Sequence, residues 1–110
     1  LLNCNADSVA SAIALGAAQI APAELVFCFE KSGVLRDPDD ETTLIREITA
    51  GSYAALKAEG VVSKGMIPKI ECCVEAVRSG VERTHILDGR IPHSILIEML
   101  SDQGIGTMIL

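Results

Sequence analysis

Aromatic side chains are the first shortage. Tryptophan is absent, and Phe27, Phe29 and Tyr53 are the whole aromatic complement of 110 residues. Few rings means few of the stacking platforms on which single-stranded nucleic acids are held. Positive charge is short as well: 9 Lys and Arg stand against 15 Asp and Glu, a formal net charge of −6. No basic cluster offsets that balance, so phosphate backbones and anionic membranes are repelled. No apolar run approaches the ~20 residues that span a bilayer, and no secretory leader pattern is visible. These shortages argue against nucleic-acid and membrane partners and set the expectation of a cytoplasmic protein.

Several motifs are missing too. The four cysteines, Cys4, Cys28, Cys72 and Cys73, form no C-x-x-C pair and no regular framework. They read as free, mostly buried thiols of a reducing compartment. No Walker A sequence occurs, and Gly104-Ile105-Gly106 is too short for a dinucleotide fingerprint. A calcium loop counted from Asp37 needs Gly sixth and Glu twelfth, where Thr42 and Ile48 stand. The acidic run from Asp37 to Glu41 therefore reads as an exposed loop. His85 and His93 lack partners at metal-site spacing and read as structural, with acid–base work as the alternative. No metal-ligand set is expected.

What remains is a globular composition, 49% hydrophobic and 22% charged. Asn5 can cap a helix whose apolar stripe is Val9, Ile13, Gly16 and Ile20, closed by Pro22. The run ELVFCF at 24–29 predicts a buried strand. Thr49 caps a second helix, with Ile48 and Tyr53 placed as a hydrophobic staple and Gly60 as a left-handed stop. A third helix begins near Pro68. Ile67, Ile70, Val74 and Val77 face inward, while Glu71, Glu75 and Arg78 face solvent. Residues 84–87 (THIL) predict a strand. Pro92 opens a last helix with Ile95, Leu96, Met99 and Leu100 inward, and residues 107–110 (TMIL) predict a final strand. A strand at Leu1 and Leu2 is expected to precede all of these. Such alternation argues for an α/β domain: a mostly parallel sheet with helices on both faces. The chain opens without an initiator Met, so a longer protein is expected.

Two junctions draw attention on chemical grounds. Asp7 follows a strand-to-helix junction, where open α/β sheets gather ligands and a helix dipole favours an acid. Lys69 lies at a helix start, adding positive charge to an end already suited to anions. Local physics alone leaves both open to a structural reading.

Taken in order, residues 3–7 (NCNAD), 32–35 (SGVL), 65–69 (GMIPK), 85–90 (HILDGR) and 104–109 (GIGTMI) resemble the second half of the N-acetylglutamate kinases, within the amino acid kinase family. The resemblance implies a carbamate-kinase-like three-layer αβα sandwich. Residues 1–110 would be its ATP-binding, C-terminal half, with the N-terminal half absent. It implies ATP-dependent phosphorylation of the γ-carboxylate of N-acetylglutamate, a step of arginine biosynthesis, in a full-length homo-oligomer. Positioning and charge neutralisation would carry the transfer. Asn3 would hold the amino-acid substrate, Asp7 would orient the catalytic lysines, and Lys69 would be one of them. Glu30, Lys31, Ser32, Gly33, Val34 and Leu35 would line adenine and ribose, with Val61, Val62 and Ser63 a second nucleotide contact. Mg²⁺ would arrive on the nucleotide phosphates.

The resemblance has departures. Phe29-Glu30-Lys31 stands where the family usually has Ser or Thr followed by Asp, and an insertion falls around residues 20–23. A subgroup with another acyl group, such as succinyl, is one reading. Another amino acid kinase, or a non-catalytic nucleotide-binding module, are the alternatives. The other catalytic lysine and the glycine-rich phosphate loop belong to the family's first half. The isolated chain is therefore expected to be inactive.

Overall fold

The computed structural model describes residues 6–37, 39–60, 62, 66–101 and 104–110. The expected strand at Leu1 and Leu2 lies outside them, as do Asn3, Cys4, Val61 and Ser63. Helix α1 (Ala6–Ala18) leads into β1 (Glu24–Phe29), β2 (Val34–Asp37), β3 (Asp40–Ile45) and β4 (Glu47–Ile48). Then come α2 (Ala50–Ala58), α3 (Ile67–Arg78), β5 (Arg83–Asp88), α4 (Ser94–Leu100) and β6 (Thr107–Ile109).

The sheet order is β1-β5-β6-β4. β5 runs parallel to β1 and antiparallel to β6, and β6 runs parallel to β4. The expected mostly parallel sheet is present, with one antiparallel pairing. Side chains alternate across a strand, so β5 serves two faces. Ile86 joins the core cluster containing Ile70, Cys73 and Val74 of α3. His85 points the other way and meets Glu98 of α4. Helices thus cover both faces.

The second helix begins as its sequence predicts. Thr49 Oγ1 accepts from Ser52 N–H at 3.1 Å and Ser52 Oγ accepts from Thr49 N–H at 2.8 Å, a reciprocal cap. Ile48 and Tyr53 are both buried in the main core, and Gly60 adopts φ +72°. The third helix also follows prediction, with Ile70 and Val74 buried and Glu71, Glu75 and Arg78 exposed.

Three expectations are corrected. The apolar stripe of α1 faces out: Ile13 is 68% and Ile20 89% exposed, while Ala14 is buried against Ala76 and Val81. Helix α1 lies on α3, with small residues such as Ala14 and Ala76 at the contact. The last helix starts at Ser94, and its inward residues are Ser94 and Glu98. Ile95, Leu96, Met99 and Leu100 are exposed, because the sheet face beneath α4 presents a histidine that a carboxylate must match. Finally, the acidic loop is a hairpin, β2–β3, with Asp37 opposite Asp40. Its turn is held by polar side chains. Asp37 Oδ1 accepts from Asp39 N–H at 3.0 Å, and Thr43 Oγ1 donates to the Asp40 carbonyl at 2.6 Å.

Candidate active site

The carboxyl end of β1 meets the amino ends of α1 and α3. Asp7 in the first turn of α1 and Lys69 in the first turn of α3 are 62 residues apart in sequence. Lys69 Nζ donates to Asp7 Oδ2 at 3.0 Å. The lysine side chain is 16% exposed and the aspartate 35%. The same ammonium lies 5.0 Å from the ring centroids of both Phe27 and Phe29. One turn further along α3, Cys72 Sγ donates to the Asp7 carbonyl at 3.6 Å and lies 2.8 Å from Ser11 Oγ. These contacts seat the first turn of α1 on α3 and so aim the carboxylate at the lysine. The N-cap of α3, Met66, contributes no side-chain cap bond, and Pro68 occupies the first turn. A cationic lysine at such an end is suited to phosphate.

Beyond β1, Glu30 and Lys31 are exposed, while Ser32 and Leu35 are half-buried. Cys28, Phe29, Glu30, Lys31 and Gly89 line an open cavity of about 590 Å³. Gly33 and Val34 are buried, and Val34 N–H donates to Thr107 Oγ1 at 2.9 Å. The Val34 and Val62 side chains belong to the hydrophobic core, so what they can offer a ligand is backbone. The structure thus brings Asp7, Lys69, Glu30 and Lys31 to one end of the sheet. Asn3, Val61 and Ser63 lie outside the described residues.

A second polar constellation was legible only as a motif. Asp88 ends β5, and Arg90 grips it with Nε to Oδ1 and Nη2 to Oδ2, both at 3.0 Å. Those bonds hold the Asp88 carboxyl below its ordinary pKa. Gly89 N–H donates to the Phe29 carbonyl at 3.0 Å, which ties this turn to the end of β1. The spacing Asp-Gly-Arg was the signal. A carboxylate at a strand end two residues before an arginine can form a closed fork.

On the opposite face His85 and Glu98 are each 4% exposed in their side chains, with Nδ1 and Oε2 2.9 Å apart. Glu24 Oε1 lies 3.5 Å from Nε2. Burial alone pushes the His85 pKa down, but bonding and charge from Glu98 and Glu24 outweigh it, and the net shift is upward. Burial pushes Glu98 up, yet the bonds from His85 and from the Gly106 and Ile105 N–H groups hold it below its ordinary value. The contact ties β5 to α4. His93 sits at the N-cap of α4 with φ +59° and makes no side-chain cap bond.

The thiols divide by position. Burial pushes Cys73 up to about 12. Cys72 is half-buried, and Cys28 is exposed, against the expectation of mostly buried cysteines. Cys28 alternates outward on β1 while Phe27 and Phe29 turn inward. Among the described residues no group of three His, Cys, Asp or Glu side chains converges to hold a metal ion.

Residues 1–88 match the family model described as the amino acid kinase family. The chain belongs to the amino acid kinase family. Over 107 residues it is 48% identical to acetylglutamate kinase of Desulforamulus reducens and 49% identical to that of Clostridium beijerinckii. Each alignment covers 97% of this chain and 36% of the relative, so the chain spans about a third of their length. Among solved structures it is similar to N-acetylglutamate synthase from Neisseria gonorrhoeae, complexed with coenzyme A and L-arginine. The TM-score is 0.83 at 28% identity, over 98% of this chain and 24% of that one. Within this amino acid kinase chain, the Asp7–Lys69 pair and the Asp88–Arg90 fork both lie at the carboxyl end of the β1–β5 pair.

Proposed function

We propose that this chain is the ATP-binding part of an acetylglutamate kinase. The observation that carries the reading is the Lys69–Asp7 pair at the amino ends of two helices, 3.0 Å apart. The two kinase relatives, at 48% and 49% identity, support the substrate class. ATP, when bound, supplies the phosphoryl group. A carboxylate oxygen of the N-acylated glutamate attacks the γ-phosphorus, the bond to the bridging oxygen breaks, and ADP leaves with an acyl phosphate formed.

Lys69 neutralises charge that grows on the migrating group, and Asp7 keeps its ammonium aimed there. Asn3 holds the acylated amino acid, since its amide both donates and accepts. Glu30 to Leu35 and Val61 to Ser63 line the nucleotide. Mg²⁺ is carried in on the phosphates, which suits its retention of water. The full-length protein is a cytoplasmic homo-oligomer in this reading. No described helix is long and apolar enough to cross a membrane.

The decisive experiment is a hydroxamate assay for acyl phosphate on the full-length protein and on the 110-residue chain, with N-acetyl- and N-succinylglutamate. Activity in the full-length protein alone supports the reading, and the preferred compound names the acyl group. Inactivity of the full-length protein with both favours a different amino acid kinase or a non-catalytic nucleotide-binding module. In the active protein, Lys69→Ala is expected to lower kcat by at least a hundredfold and change the KM for the glutamate compound little. Unchanged turnover would remove Lys69 from the mechanism.

A further inference from the structure

Two of the chain's three aromatic residues stand against one lysine. Phe27 and Phe29 alternate on β1, so both rings leave the strand on the same face, about 6.6 Å apart along it. Lys69 Nζ is 5.0 Å from each centroid and 3.0 Å from Asp7 Oδ2. That places the ammonium at the apex over two ring faces, with the carboxylate as a further contact. Core packing accounts for Phe27, which is buried. Phe29 packs against the edge of that core but is only half-buried, at the carboxyl end of the strand, where it also forms part of the wall of the open cavity.

A lysine has four side-chain torsions and loses much rotamer entropy when fixed. An ammonium over a ring face is attracted by the ring quadrupole, more strongly where water is scarce. With its side chain only 16% exposed, Lys69 meets that condition.

We propose that Phe27 and Phe29 are positioning residues for Lys69, holding its ammonium over their two rings so that it is fixed against Asp7 before substrate arrives. The proposal rests on the reading of Lys69 as the lysine that stabilises phosphoryl transfer. The rings touch no reacting atom. They act by removing the alternative rotamers of the lysine, so their contribution belongs to kcat and not to substrate affinity.

The test uses the full-length protein with mono-, di- and trifluorophenylalanine placed at position 29 and, separately, at 27. Fluorine weakens the ring quadrupole stepwise while nearly preserving shape. The expected result is a stepwise fall in kcat, about tenfold across the series at position 29, with both KM values within twofold and Tm unchanged. A merely structural ring would leave kcat flat across the series, and that result overturns the proposal. A second measurement covers the case in which the full-length protein lacks acylglutamate kinase activity, which refutes the functional reading but not the clamp. In spectra of lysine-labelled protein, the Lys69 ε-methylene protons are expected upfield from the ring currents, moving part of the way back towards ordinary values in Phe29→Leu, where the Phe27 ring remains. Unshifted resonances in the folded parent protein overturn the clamp itself.

Discussion

His85 and Glu98 are two buried titratable groups, and either one without the other would be costly. Glu98 Oε1 accepts from the Ile105 and Gly106 N–H groups at 2.8 and 2.9 Å, while Oε2 meets His85. One carboxylate thus ties α4, the turn before β6, and β5 together. Glu98→Gln keeps the shape but turns one acceptor into a donor and leaves a buried imidazole unmatched. A loss of about 3 kcal/mol is expected in urea unfolding of the full-length protein near pH 6. The pH dependence has two limbs. The raised His85 pKa contributes stability below its unfolded value of 6.5, lost as pH rises through the folded one. The lowered Glu98 pKa contributes above its unfolded 4.5, lost as pH falls through the folded one. The parent and the variant should therefore differ most between those two unfolded values, and a gap independent of pH would contradict the pairing. Little of this could be read from the sequence. A histidine in an apolar strand and a glutamate 13 residues later give no periodic signal, and residues that face each other across a sheet and a helix are found only once both exist. The Lys69–Asp7 pair was legible only through resemblance, since local physics equally allows a capping acid and a surface lysine.

At the scale of elements, the hairpin β2–β3 depends on one close approach. Gly33 adopts φ +149°, and a Cβ there would lie 2.6 Å from Thr107 Oγ1 and 3.1 Å from the Thr107 nitrogen. That hydroxyl accepts from Val34 N–H and donates to the Ile45 carbonyl, so it fastens both strands of the hairpin to β6. Gly33→Ala is expected to cost about 2 kcal/mol or more, from strain and from the displaced hydroxyl. Hydrogen exchange at the Val34 amide should accelerate well beyond that at Ile86. Equal rates would show that the hairpin stays docked. This ribbon escaped the sequence because R-D-P-D-D-E-T-T has no apolar alternation, and its order comes from side chains bonding to the turn backbone. Helix α2 was read correctly because its cap and its inward residues agree, and α3 because Pro68 in its first turn and its inward residues do. Helices α1 and α4 were assigned the wrong inward face for one shared reason. Each meets a neighbour that asks for small or polar groups, so the large aliphatic residues point away.

For the molecule as a whole, those outward aliphatics set its behaviour. Val9, Ile13 and Ile20 on and beyond α1, and Ile95, Leu96 and Leu100 on α4, are exposed large hydrophobic residues. Exposed apolar surface on two separate helices is an association hazard. The 110-residue chain produced alone is expected to self-associate in sedimentation velocity at micromolar concentration. A sharp monomer over a tenfold concentration range would show that these faces are tolerated in water.

The strand order β1-β5-β6-β4 carries a consequence for how the chain acquires its shape during synthesis. The two inner strands follow both flanking ones along the chain, so β1 and β4 emerge from the ribosome before β5 and β6. Glu24 waits for Arg83, and Ile48 for Ile109. Helices and the local β2–β3 ribbon can form as they appear, but no strand of the main sheet has a described neighbour until β5 is out. Closure then waits for β6, Thr107–Ile109. Pairing across such separations is slow, because loop closure must precede the contacts that reward it. A nascent chain halted before Thr107 would hold β4 without its partner. For a translating ribosome, the sheet cannot close until Thr107–Ile109 have been made.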